Sequence, residues 1–204
     1  MKTSIKTLGI AALTSLVSII AFSGSASANE KITLLNKIGK FNKLTVSGNV
    51  DVLIVQSPES RVTVYDDYYA KNALVQEKNG ELRISSFEKK PLSVVVYTNQ
   101  LTEINASDQA TVNTQGVFKT ICLEVNLKNE AKANLNTSTL DLFAQLDNDA
   151  NLELSGDAVD YNVVMNDNTS IKTDKFKSDN TSISAKKTVI AQKAAPLSLE
   201  DLKF

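Results

Sequence analysis

The chain has 204 residues, 22 of them basic and 23 acidic, with no histidine and one cysteine. The even charge argues against the basic surface that nucleic acid needs. Without histidine there are no imidazole bases, no His-dependent triads and no His metal sites, and a lone cysteine rules out an internal disulfide.

In chain order, residues 1–28 read as a secretory signal peptide. Lys2 and Lys6 give a positive start, Leu8 to Phe22 is an apolar run, and Ala26-Ser27-Ala28 is a small-x-small cleavage site. The run falls short of the ~20 apolar residues a membrane span needs. Cleavage after Ala28 leaves 176 residues, enough for one domain with a real core. Removing Lys2 and Lys6 leaves 20 basic and 23 acidic residues, a net charge of −3. Residues 29–40 are a short lead-in to a domain expected over 41–190, and residues 191–204 form a tail or cap.

From Phe41 the pattern is strand-like. Leu44 and Val46 alternate with polar neighbours, Ser47-Gly48-Asn49 turns or bulges, and Val50, Val52 and Ile54 resume the same parity. Gln56 to Ser60 is a turn broken by Pro58, followed by a strand over Arg61 to Tyr65 with Val62 and Val64 inward. Asn79-Gly80 marks a hairpin between Leu74-Val75-Gln76-Glu77 and Leu82-Arg83-Ile84-Ser85. Phe87 to Pro91 is a turn. Ser93 to Tyr97 is a β-branched run of the kind buried on both faces.

Leu101 to Ala185 is a series of imperfect repeats. An Asp/Asn-x-(Ala/Thr) step recurs with its small residue at Ala110, Ala131, Ala150, Thr169 and Thr181; the spacings are 21, 19, 19 and 12, so the last copy reads as truncated. A fixed period near 20 marks a solenoid. Between the steps lie alternating apolar residues: Ile121, Leu123, Val125, Leu127; Leu140, Leu142, Ala144, Leu146; Val159, Tyr161, Val163, Met165. One repeat cannot bury such a face alone, whereas stacked copies bury a shared core and pair their backbones. Asp and Asn suit the corners because they tolerate left-handed backbone. The pattern predicts an all-β, parallel β-helix (β-solenoid) with coils of about 20 residues and less regular N-terminal strands. The general crossover rule makes it right-handed.

With the strands placed, the chain resembles a known family. Phe41 to Gln56 is similar to the opening of the auto-transporter adhesin "head GIN" domain. Asn79-Gly80-Glu81-Leu82-Arg83-Ile84 is similar to its Gly-x-Leu-x-Ile step, and Leu101 to Asp108 resembles its next transition. The resemblance covers about Phe41 to Ala185. Asp108, Asn129 and Asn148 stand where glycine is common in that family, a change left-handed backbone accepts. The resemblance implies an exported or envelope β-helix of a kind widespread in Bacteroidetes, an adhesin-like role and no catalytic residues.

Direct chemical signals are sparse. No phosphate-binding or dinucleotide loop occurs among the seven glycines. Asp147, Asp149, Asp157 and Asp167 form an acidic cluster that would suit Ca²⁺ or a carboxylate pair; the simpler reading is that they make turns, and no metal or cofactor is expected. Cys122 reads as a small buried hydrophobe rather than a reactive thiol. The candidate recognition patch is Tyr65, Asp66, Asp67, Tyr68 and Tyr69, where two carboxylates lie between aromatic rings; packing over the end of the fold is the competing reading. Four Asn-x-Ser matches, starting at Asn105, Asn136, Asn168 and Asn180, fall in Asn/Ser/Thr-rich sequence and read as chance. The expected role is a non-catalytic, adhesin-like surface for polysaccharide or protein, periplasmic, on the outer surface or secreted. The alternatives are a polysaccharide lyase or hydrolase and a ligand-free periplasmic scaffold. Exposed solenoid edges also leave room for a homo-oligomer.

Overall fold

The computed structural model describes residues 32–35, 38–65, 73–166 and 168–186. The signal segment, the tail from 191 and most of the Tyr/Asp patch lie outside the described residues. Within them the chain is all-β, with no helix. Fourteen strands form one curled sheet: β1 (Ile32–Leu35), β2 (Lys43–Gly48), β3 (Val50–Gln56), β4 (Arg61–Tyr65), β5 (Ala73–Lys78), β6 (Glu81–Ser86), β7 (Leu92–Thr98), β8 (Glu103–Ser107), β9 (Thr111–Gln115), β10 (Phe118–Lys119), β11 (Cys122–Leu127), β12 (Lys132–Leu146), β13 (Asn151–Asn166) and β14 (Ser170–Lys186).

The repeats stack as parallel ladders. Glu103 of β8 lies beside Glu124 of β11, and Cys122 of β11 beside Asp141 of β12. Lys132 of β12 pairs with Asn151 of β13, which pairs with Ser170 of β14. Each pair is 19 or 21 residues apart, so the sequence period is the backbone register. The same register lines up the inward side chains. Leu82, Leu44, Ile104, Val125, Ala144 and Val163 form one continuous buried column. Val94, Val52, Val112, Ala133 and Leu152 form a second. Each large side chain buried this way is worth roughly 1.5–3 kcal/mol, and no single repeat has enough of them to stand alone.

The spatial order of the first three layers differs from chain order. The β2–β3 layer is central: β6 and β8 flank β2, and β7 and β9 flank β3, all in parallel. After β3 the chain crosses to the outer side to lay down β6 and β7, then returns to the inner side for β8 and β9. Antiparallel strands close that outer end. β4 pairs with β7, β1 with β4, and β5 with β6. The lead-in thus contributes an edge strand, β1. The β5–β6 turn is the two-residue hairpin predicted at Asn79-Gly80, with positive φ at both residues (55° and 78°).

The corners between repeats follow from the Asp/Asn steps. Asp108, Asn129 and Asn148 have φ of 64°, 60° and 47°, and Asp149 follows at 52°, conformations that Asn and Asp accept at low cost. The small residues after them, Ala110, Ala131 and Ala150, are fully buried inside the bend. Gly156 has φ 96°, and a Cβ there would lie 2.0 Å from the Thr137 carbonyl oxygen of the neighbouring layer. Only glycine fits.

Four expectations are corrected. The fifth repeat is not a corner: Asp179 to Ile183 runs inside β14, and the β13–β14 register sets Thr181 beside Tyr161, elsewhere along the repeat. Ser93 to Tyr97 is not buried on both faces, because β7 alternates fully buried with half-buried positions. Ile121, Leu140 and Val159 are exposed by 70, 55 and 38 %. Each stands at a bend where two successive side chains point outward, as at Leu140-Asp141 in β12. The same bend exposes Cys122, whose Sγ lies 3.7 Å from Asp141 Oδ2, in place of the expected buried hydrophobe.

Candidate functional site

The sequence-predicted patch is represented in the described residues by Tyr65, half-buried at the end of β4; Asp66, Asp67, Tyr68 and Tyr69 lie outside them. Asp167 also lies outside. Asp147 and Asp149 share one corner, where Asp147 accepts hydrogen bonds from Gln145 and Asn166, and the Asp149 carbonyl accepts one from Asn151. Asp157 stands at the far end of the next arm and accepts a bond from Ser138 Oγ at 2.9 Å. Among the described residues no three His, Cys, Asp or Glu side chains come together as a metal-ligand set. Asp147 and Asp149 stand at a corner, as turn residues do, whereas Asp157 lies within β13, and the bonds to Asp157 from Ser138 and to Asp147 from Asn166 tie neighbouring layers together.

The structure brings together two grooves that sequence reasoning missed. The first, of about 340 Å³, lies beside the β5–β6 hairpin and is lined by Lys43, Lys78, Glu81, Arg83 and Glu103 among others. Four of its charges pair with one another. Lys43 Nζ lies 2.7 Å from Glu103 Oε1, and Arg83 lies 2.7 Å from Glu81, which also accepts from Thr45 Oγ1 at 2.6 Å. Hydrogen bonds from Arg83 and Thr45 hold Glu81 below the usual glutamate range. Burial pushes Glu103 upward, but hydrogen bonds from Lys43 and Asn105 outweigh it and Glu103 also ends low. The bond to Glu103 in turn raises Lys43. Both carboxylates are thus held towards the ionised form. The carboxylate that burial raises, Asp51, is hydrogen-bonded by Thr111 on the other arm and lines neither groove.

The second groove, of about 400 Å³, lies at the corner and is lined by Gly48, Asn49, Phe87, Glu88, Asp108, Gln109, Asn129 and Glu130. Phe87 is 77 % exposed. The loop carrying it is fastened to β2–β3: Asn49 donates its backbone N–H to the Ser86 carbonyl at 2.6 Å and its side-chain amide to the Glu88 and Lys89 carbonyls, each at 3.0 Å. The ring sits against Gly48. The floor is the corner ladder. Asp108 Oδ2 accepts from the Gly48 N–H and Ser107 Oγ, both at 3.2 Å; Asp108 Oδ1 accepts from Asn129 Nδ2 at 3.0 Å; and Asn129 accepts from Asn148 Nδ2 at 3.5 Å. Corner residues selected for left-handed backbone therefore also make a fixed row of amide and carboxylate groups. The sequence signal was Phe87 itself, a large aromatic in an otherwise polar turn. The partner residues other than Glu88 lie 21 to 43 positions away and only the register brings them near.

The fold and its grooves define an all-β layered domain that displays polar corners and an exposed ring. Residues 40–188 match the model of the family described as "Putative auto-transporter adhesin, head GIN domain", and the chain belongs to that family. Its fold is similar to that of a putative adhesin from Bacteroides fragilis (17 % identity, TM-score 0.69, covering 79 % of this chain and 78 % of that one). It is also similar to a putative lipid binding protein from Parabacteroides distasonis (14 % identity, TM-score 0.62, covering 78 % and 79 %). A third similar fold is a putative adhesin from Parabacteroides merdae (16 % identity, TM-score 0.56, covering 78 % of each chain). No curated protein matches the sequence significantly. No helix among the described residues is long and apolar enough to cross a membrane.

Proposed function

We propose that the chain is exported and acts at the cell envelope as a non-catalytic, adhesin-like surface that binds polysaccharide or protein. The observation that carries this reading is the corner groove, where a fastened loop holds Phe87 in solvent beside a preordered row of side chains. A large ring held exposed beside a groove offers a flat apolar face that a partner can cover. Family membership and the signal-like residues 1–28 support the adhesin-like role and the export. The parallel ladders at intervals of 19 to 21 residues support winding as a right-handed β-solenoid, since parallel crossovers take that hand. The first groove supports the non-catalytic reading, because its carboxylates are both held ionised. β14, which pairs only with β13 among the described strands, is one edge through which a homo-oligomer could form.

Binding and turnover are separated by one experiment. Residues 29–204 are incubated with immobilised envelope polysaccharides and envelope proteins, with reducing-end release followed in parallel. Saturable retention without release is expected. Release of sugar ends would establish an enzyme, and no retention on either class would remove the adhesin-like role.

A further inference from the structure

We propose that the corner groove is a glycan site that takes uncharged pyranose units, with Phe87 as the stacking platform. The inference rests on the binding-surface reading above and narrows its partner. The apolar C–H face of a pyranose needs a flat apolar partner, and its hydroxyls need donors and acceptors in the same plane of approach. Both are present. Phe87 is 77 % exposed, while Phe41 and Phe118 are buried to 2 %, so the ring is not a displaced core residue. Its position is set, since Asn49 ties the loop by two side-chain bonds to the Glu88 and Lys89 carbonyls and Gly48 leaves no side chain between the ring and the backbone of β2.

Next to the ring, the Asp108–Asn129 bond at 3.0 Å fixes both side chains. Each keeps capacity: a carboxylate oxygen has a second lone pair, and the Asn129 amide a second N–H. Fixed groups lose little entropy when a sugar arrives. Gln109, an exposed lining residue, adds an amide with donor and acceptor. The volume, about 400 Å³, is within the ordinary range for small-ligand sites.

Charge selects among glycans. Glu88, Asp108 and Glu130 line the groove and no lysine or arginine does. An anionic sugar would enter beside like charges with nothing to neutralise it, so uronates and sulfated sugars are disfavoured.

The test is a calorimetric titration of residues 29–204 with a panel of neutral hexose and N-acylhexosamine oligosaccharides and a matched panel of uronate oligomers. Phe87→Ala, Phe87→Trp and Gln109→Ala are measured alongside, with circular dichroism confirming the fold. Saturable binding to a neutral oligosaccharide is expected, at least tenfold weaker in Phe87→Ala, retained in Phe87→Trp, weakened in Gln109→Ala, and at least tenfold weaker for uronates. Equal affinity in Phe87→Ala, a preference for uronates, or no binding to any neutral member overturns the glycan site. If glycans fail while an envelope protein is still retained, the glycan site is wrong and the binding-surface reading stands; if nothing is retained, both fall.

Discussion

At the scale of single residues, two positions carry sharp consequences. Asn129 holds φ 60° at a corner and donates to Asp108. Alanine there keeps the strained conformation without the favourable side chain, so Asn129→Ala is expected to cost about 1–2 kcal/mol. Asn129→Gly removes the same hydrogen bond but relieves the backbone, and its urea midpoint is expected to lie clearly above that of the alanine variant. Equal midpoints would mean that the corner is not limited by its backbone. Tyr161 is 3 % exposed, packs edge-on to Phe176 with ring centres 5.2 Å apart, and its hydroxyl has no hydrogen-bond partner among the described residues. Burial pushes its pKa up to about 12 from 10.0. The folded state thus favours the protonated phenol: the contribution is fully present below pH 10 and is lost as pH rises towards about 12. Tyr161→Phe is expected to gain about 1 kcal/mol at neutral pH, because a stranded hydroxyl is removed. It is also expected to lose less stability than the parent between pH 10 and 12, read from denaturant midpoints at each pH. A parallel decline in both proteins would show that Tyr161 does not titrate with unfolding.

Among elements, the two ends of the layered sheet differ. The outer end is finished by antiparallel β1, β4 and β5, whereas β14 pairs only with β13 among the described strands. Hydrogen exchange should therefore be slow throughout β12 and β13 and fast at alternate, outward-facing amides of β14. Protection at both sets of β14 amides would mean that another segment or a second copy lies along that edge. The elements themselves were largely legible in the sequence. The corners at Asp108, Asn129 and Asn148, the hairpin at Asn79-Gly80 and the inward parity of Leu44 through Ile54 follow from local backbone chemistry, which a sequence states directly. The misplaced residues share one cause. Ile121, Cys122, Leu140 and Val159 sit where a strand bends and its inside–outside alternation slips by one, and no local residue type announces that slip. The same limit hid the corner groove, since Asn49, Phe87 and Asn129 meet through register between layers that are out of chain order.

For the whole molecule, the consequential claim is location. The period near 20 made a stacked all-β fold readable, because the backbone register repeats it. A partner was not readable, because the proposed recognition surface depends on where separate layers place a few exposed side chains. An adhesin-like role requires the folded domain to lie outside the cell, and residues 1–28 carry the pattern that would send it there. The most direct measurement is protease shaving of intact cells, followed with an antibody against residues 29–204 and with a periplasmic protein as control. Cleavage or release of the chain while the periplasmic marker survives is the predicted result. Protection of the chain until the outer membrane is opened, with the protease shown to cleave it afterwards, would contradict a surface role and place its partners in the periplasm.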